Sequence, residues 1–103
     1  MIDVKNKTLT LCPAGELDHH TARAIREAAD AAIRRTRPAV IVIDFSAVSF
    51  MDSSGIGLIL GRKNLADEFG AEIVLTGLSP RLLRMIELSG VLRLSGVRLG
   101  KEG

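Results

Sequence analysis

The chain opens on two short runs of strict alternation. Ile2 and Val4 are apolar against Asp3 and Lys5, and Leu9 and Leu11 alternate with Thr8 and Thr10. Successive side chains of a strand point to opposite faces, so both runs predict half-buried strands. Asn6-Lys7 between them is a tight turn, and the pair predicts an N-terminal antiparallel hairpin. Pro13 ends the second strand, because it has no N–H for a ladder. Ala14-Gly15-Glu16-Leu17-Asp18 reads as a loop into a helix with Asp18 as N-cap. Beyond it Ala22, Ile25, Ala29, Ala32 and Ile33 fall on one helical stripe, and Pro38 closes the unit.

Val40-Ile41-Val42-Ile43 is a continuous β-branched run, the pattern of a central strand buried on both faces of a parallel sheet. Asp44-Phe45 and a short loop lead to Ser49-Phe50-Met51. A second helix is predicted from about Ser53 to Phe69, with Gly70 as its terminator. Ile73-Val74-Leu75 predicts the next buried strand. Ser79 and Pro80 read as the N-cap and first residue of a third helix, with Leu82, Leu83 and Ile86 on its apolar side and Gly90 at its end. Val97 and Leu99 suggest a last short strand. A hairpin followed by alternating helix and strand predicts an α/β fold with mostly parallel strands joined by right-handed crossovers.

Composition narrows the function classes. One domain, residues 1–103, accounts for the length. Aliphatic residues must build the core, since hydrophobic residues are 47% of the chain and aromatics only 3%. So few aromatics argue against base stacking on single-stranded nucleic acid. Fourteen basic residues against twelve acidic ones leave a net charge of +2, which gives little support to nucleic-acid or membrane binding. Arg34, Arg35 and Arg37 read as a solvated helix end. Cys12, the only cysteine, can form no internal disulfide and reads as a small core residue. Met1 to Lys7 is polar and alternating, unlike a signal peptide, and no apolar run is long enough to span a bilayer; a cytoplasmic protein is expected.

Candidate chemistry falls where strands hand over to helices. Two stretches stand out: Gly15-Glu16-Leu17-Asp18-His19-His20-Thr21 and Met51-Asp52-Ser53-Ser54-Gly55-Ile56-Gly57. The second has a structural explanation, with Ser53 or Ser54 capping a helix, Asp52 complementing its dipole, and the glycines allowing close packing. It has a functional one too, a phosphate site, because N–H groups at a helix start suit an anion. Gly55-Ile56-Gly57 is too sparse for a dinucleotide fingerprint, and no P-loop lysine follows. Adjacent His19 and His20 at a helix start are expected to point apart, and no third ligand supports a metal centre. A Ser-His-Asp hydrolase lacks the Gly-x-Ser-x-Gly elbow and room for a substrate pocket. A phosphoaspartate at Asp44 lacks the supporting acidic cluster and lysine.

The two stretches, from Gly15 to Ala22 and from Met51 to Arg62, resemble the signature segments of STAS-domain anti-sigma factor antagonists, the sporulation type above all. Ser79-Pro80 and Met85-Ile86-Glu87-Leu88-Ser89-Gly90 fit the same pattern. The resemblance implies a STAS-like single domain and a partner switch. An unphosphorylated antagonist binds an anti-sigma factor that is also a serine kinase, which frees a sigma factor. Phosphorylation ends that binding, and a serine phosphatase restores it. On matching positions the resemblance makes Ser53 the phosphoacceptor. It places Glu16, Asp18, Asp52, Ser54, Gly55, Ile56 and Gly57 at the partner contact. It implies no enzyme activity, no cofactor, no metal and no direct contact with nucleic acid or membrane. Many members carry a further C-terminal helix, whereas this sequence ends at Gly103 soon after the last predicted strand. The alternative reading is a STAS interaction module of a larger signalling or transport assembly, not regulated at Ser53.

Overall fold

Asn6 and Lys7 both take positive φ, +52° and +63°. That pair of left-handed residues makes the tight turn whose twist matches a hairpin. It joins β1 (Ile2–Lys5) to an antiparallel β2 (Thr8–Leu11), with Val4 opposite Leu9. The computed structural model describes residues 2–100; Met1 and the last three residues of the expected 1–103 domain lie outside them.

Beyond the hairpin come β3 (Ala14–Leu17), α1 (His19–Thr36), β4 (Val40–Asp44), β5 (Ala47–Met51), α2 (Ser53–Phe69), β6 (Glu72–Thr76), α3 (Pro80–Ser89), a 3₁₀ turn at Val91–Arg93 and β7 (Val97–Leu99). The main sheet has the order β1-β2-β4-β6-β7, and every pairing after the hairpin is parallel. This is the α/β arrangement expected from the alternation of elements.

Leu9, Leu11, Ile41, Ile43, Ile73 and Leu75 are all fully buried. They alternate with Thr8, Thr10, Val40 and Val42, which are half-buried. The core therefore lies on one face of the sheet, where α1 and α2 pack, and the other face is partly open. This corrects the expectation for β4. It is the central strand, but only Ile41 and Ile43 are fully enclosed.

β3 corrects a stretch expected to be loop, and β5 is a strand where only a short loop leading to Ser49-Phe50-Met51 was expected. They form a separate two-stranded parallel ribbon, with Leu17 opposite Met51. Its register slips once. Gly15 faces Val48 and Glu16 faces Phe50, so Ser49 is the extra residue of a bulge. Leu17, Val48 and Met51 are buried and anchor the ribbon to the core.

α1 and α2 lie against each other. Arg62 of α2, 3% exposed, places Nε 2.8 Å from Oδ1 of Asp30 on α1. A second contact runs from Nη2 to Oδ2 at 3.3 Å. Nη1 has no hydrogen-bond partner among the described residues. Burial lowers the guanidinium's pKa, and Asp30 opposes that shift. α1 ends at Arg37, whose left-handed backbone donates its N–H to Ile33 O and whose guanidinium lies 5.7 Å from the Phe69 ring centroid. Arg34 and Arg35 are exposed, as expected of a solvated helix end.

Candidate functional site

The ribbon sets the site. Each of its strands gives way to a helix after a single aspartate, Asp18 before α1 and Asp52 before α2. Because Leu17 pairs with Met51, the two helix starts lie side by side, and Asp52 N–H donates to Leu17 O across the gap. The two signature stretches, separated in sequence by all of α1 and β4, thus form one surface.

Asp18 caps α1 as expected. Its Oδ1 accepts from the amides of His20 and Thr21 at 3.1 and 3.0 Å, and Thr21 Oγ1 accepts from Asp18 N–H at 2.9 Å. This reciprocal capping box fixes the loop. The Thr21 backbone bond is the main cause holding the Asp18 carboxyl below its ordinary pKa, followed by the Thr21 hydroxyl. Thr21 Oγ1 also lies 2.8 Å from Glu16 O, which ties β3 to the same turn. Glu16 is exposed.

At α2 the cap is Asp52, not Ser53 or Ser54, which corrects the structural reading of that stretch. Asp52 Oδ1 accepts from Ser54 N–H at 2.8 Å. Ser53 is therefore relieved of any capping duty and sits exposed at the first helical position. Ser54 is half-buried, one step round the helix toward α1. Gly55 is buried, and a Cβ added there would collide with Cγ and Sδ of Met51. Its place in the motif is explained by this close approach of β5 to the helix. Ile56 is half-buried and Gly57 exposed.

His19 and His20 do not diverge as expected. Their ring centroids are 4.2 Å apart, tilted by 33°. Among the described residues no group of three or more His, Cys, Asp or Glu side chains is placed to hold a metal ion. Cys12 is half-buried rather than enclosed, at a shallow apolar groove with Ile2, Leu11 and Ile25. Asp44 Oδ1 accepts from Ser46 N–H at 2.9 Å and serves the turn after β4.

Sequence reasoning missed two features. Phe50, opposite Glu16 on the ribbon, is 46% exposed and borders a cleft with Ser79, Arg81 and Met85. His19, Arg23 and Arg26 of α1 face Ser54 and Gly57 of α2 across a cleft of about 220 Å³. The recurrence of His19, Arg23 and Arg26 at one-turn spacing was a visible signal. What it faced depended on the ribbon.

The small α/β scaffold thus caps two neighbouring helices with aspartate and leaves Ser53 exposed at the start of the second. The chain belongs to the STAS-domain family, whose model matches residues 1–101. It is 40% identical over 81 residues to an anti-sigma F factor antagonist of Paenibacillus polymyxa, covering 79% of this chain and 69% of that one. It is 37% identical over 79 residues to an anti-sigma-B factor antagonist of Listeria monocytogenes, covering 76% and 68%. Among solved structures, the anti-sigma factor antagonist SpoIIAA in its unphosphorylated form superposes with a TM-score of 0.84 at 30% identity, covering 99% of this chain and 88% of that one. The Bacillus cell fate determinant SpoIIAA in its phosphorylated form gives 0.76 at 31%, covering 99% and 91%. Among the described residues no helix is long and apolar enough to cross a membrane.

Proposed function

We propose that this protein is an anti-sigma factor antagonist controlled by phosphorylation of Ser53. Unphosphorylated, it binds an anti-sigma factor serine kinase and thereby releases a sigma factor. The kinase then transfers the γ-phosphoryl group of ATP to Ser53 Oγ. The hydroxyl proton is lost, ADP leaves, and the modified protein lets go until a serine phosphatase hydrolyses the ester. The protein is a ligand and a substrate in this cycle, with no catalytic residue or cofactor of its own, and it acts in the cytoplasm.

The observation that carries the reading is Ser53 itself: exposed, at the first position of α2, with the capping role taken by Asp52. The Ser53 hydroxyl takes part in no hydrogen bond among the described residues, which leaves it open to a phosphoryl donor. Relatives named as antagonists and a structural relative solved in a phosphorylated form support the assignment. We assign Glu16, Asp18, Asp52, Ser54, Ile56 and Gly57 to the same partner contact, because the ribbon sets the two stretches side by side. Gly55 contributes from inside, by letting the helix start sit close on Met51. A phosphate here adds about −1.5 to −2 charge at the start of α2, next to the Asp52 cap, so an approaching partner meets repulsion and steric exclusion.

The test is incubation with a candidate anti-sigma kinase and ATP, followed by mapping of the modified residue by mass spectrometry. Phosphate on Ser53 and loss of complex are expected. A stable complex with no modification would favour a STAS interaction module not regulated at this serine.

A further inference from the structure

The cleft between the first turns of α1 and α2 carries positive charge that the fold leaves uncommitted. α1 supplies His19, Arg23 and Arg26, and α2 supplies Ser54, Gly57 and Leu58. Both helices begin two residues after the paired Leu17 and Met51, so Arg23 stands level with Gly57. The described ion pairs join Arg62 to Asp30, Lys63 to Asp67 and Arg98 to Glu72; none involves Arg23 or Arg26. Asp30, one turn beyond Arg26, is engaged by Arg62, and the Asp18 and Asp52 carboxylates are engaged as caps. Both arginines are exposed, and no carboxylate among the described residues is paired with either.

Ser53 is the chain neighbour of Ser54, which lines this cleft. It lies four residues before Gly57, hence on nearly the same side of α2. Gly57 has no side chain, and a Cβ added there would meet nothing within 4 Å. The α2 wall of the cleft is therefore open at Gly57, one turn beyond the serine.

We propose that this cleft receives the phosphate carried by Ser53, with the guanidinium groups of Arg23 and Arg26 closing on the phosphoryl oxygens. The inference rests on the reading of Ser53 as phosphoacceptor. It adds that the modified form is held by its own residues. Guanidinium forks match phosphate oxygens in geometry and bond them strongly. The clamp fills the cleft, withdraws two cations from the surface and turns the phosphate toward α1. Partner release then includes the loss of a docking groove.

The test installs phosphoserine at position 53 during synthesis, so it needs no kinase. Melting temperatures of modified and unmodified protein are compared in the native chain, in Arg23→Gln/Arg26→Gln and in Gly57→Leu. The native chain is expected to gain roughly 5 °C on phosphorylation, the scale of one exposed ion pair in a domain this size. The double variant should lose that gain. Gly57→Leu keeps both arginines but fills the path, and should lose it too. No gain in the native chain, or an equal gain in the double variant, overturns the clamp. A gain that survives Gly57→Leu also overturns it, by assigning the effect to long-range charge. Failure of a kinase to modify Ser53 would count against the phosphoacceptor reading alone, because this comparison does not depend on it.

Discussion

Ser53 and Asp52 divide labour that sequence alone would give to either. Asp52 accepts the Ser54 amide and Ser53 is left exposed, so Ser53→Ala should abolish phosphorylation while barely changing stability. Asp52→Ala should cost about 1 kcal/mol, the usual loss of a cap. Chemical denaturation of both variants, with mass spectrometry of the kinase reaction, separates the roles; continued modification of Ser53→Ala at Ser54 would show the wrong serine had been chosen. Asp18 and Glu16 divide differently. Asp18→Asn still caps, so both it and Glu16→Gln should weaken kinase binding with little change in stability at neutral pH. Equal affinities by calorimetry would remove them from the contact. Acid adds a signature. The Asp18 carboxyl is held below its ordinary 3.8 by bonds from Thr21 that exist only in the folded state. Its contribution is therefore complete above that value and fades as pH falls through the lower folded-state pKa. Asp18→Asn should flatten this part of the acid limb of a urea-denaturation series.

At the scale of elements, α2 carries glycines of opposite meaning. Gly55→Ala pushes a methyl into Met51 and should destabilise by about 1–3 kcal/mol. Gly61→Ala, with nothing within 4 Å of the new Cβ, should stabilise by roughly 0.5–1 kcal/mol through helix propensity. Thermal melts of the two decide whether the motif's glycines serve packing or the surface. The α1–α2 seam makes a second contrast. Asp30→Ala leaves the Arg62 guanidinium buried without its counter-charge and should cost roughly 3 kcal/mol, whereas Asp30→Leu combined with Arg62→Met removes both charges and should cost much less. The hairpin, the three helices and β4, β6 and β7 were legible because alternation, helical stripes and terminators each left a mark. β3 and β5 were not. Ala14-Gly15-Glu16-Leu17 has no β-branched residue, and the bulge at Ser49 spaces the buried Val48 and Met51 three apart, erasing the period of two. The two site stretches were legible by resemblance, but the cleft of arginines was hidden with the ribbon that aligns it.

Over the whole molecule, phosphorylation should change little. Ser53 is exposed at a helix start, where N–H groups and dipole favour an anion, so the added charge has no cause to melt α2. Backbone amide shifts of the two forms should differ mainly at residues 52–57 and along the first turns of α1. Large shifts through β4 or α3 would point to a conformational switch and remove the surface account. Ser53→Asp should imitate the phosphate only partly, because a carboxylate is smaller, less charged and nearer the backbone.

The two-stranded ribbon also bears on how the site comes into being. Leu17 and Met51 lie 34 residues apart in the chain, so their pairing is a non-local contact, as is that of β2 with β4. Neither strand has local partners to form with first. Ser53 and the Glu16–Asp18 stretch are therefore neighbours only in the folded chain. A partner that must grip both stretches at once would therefore pass over unfolded chains.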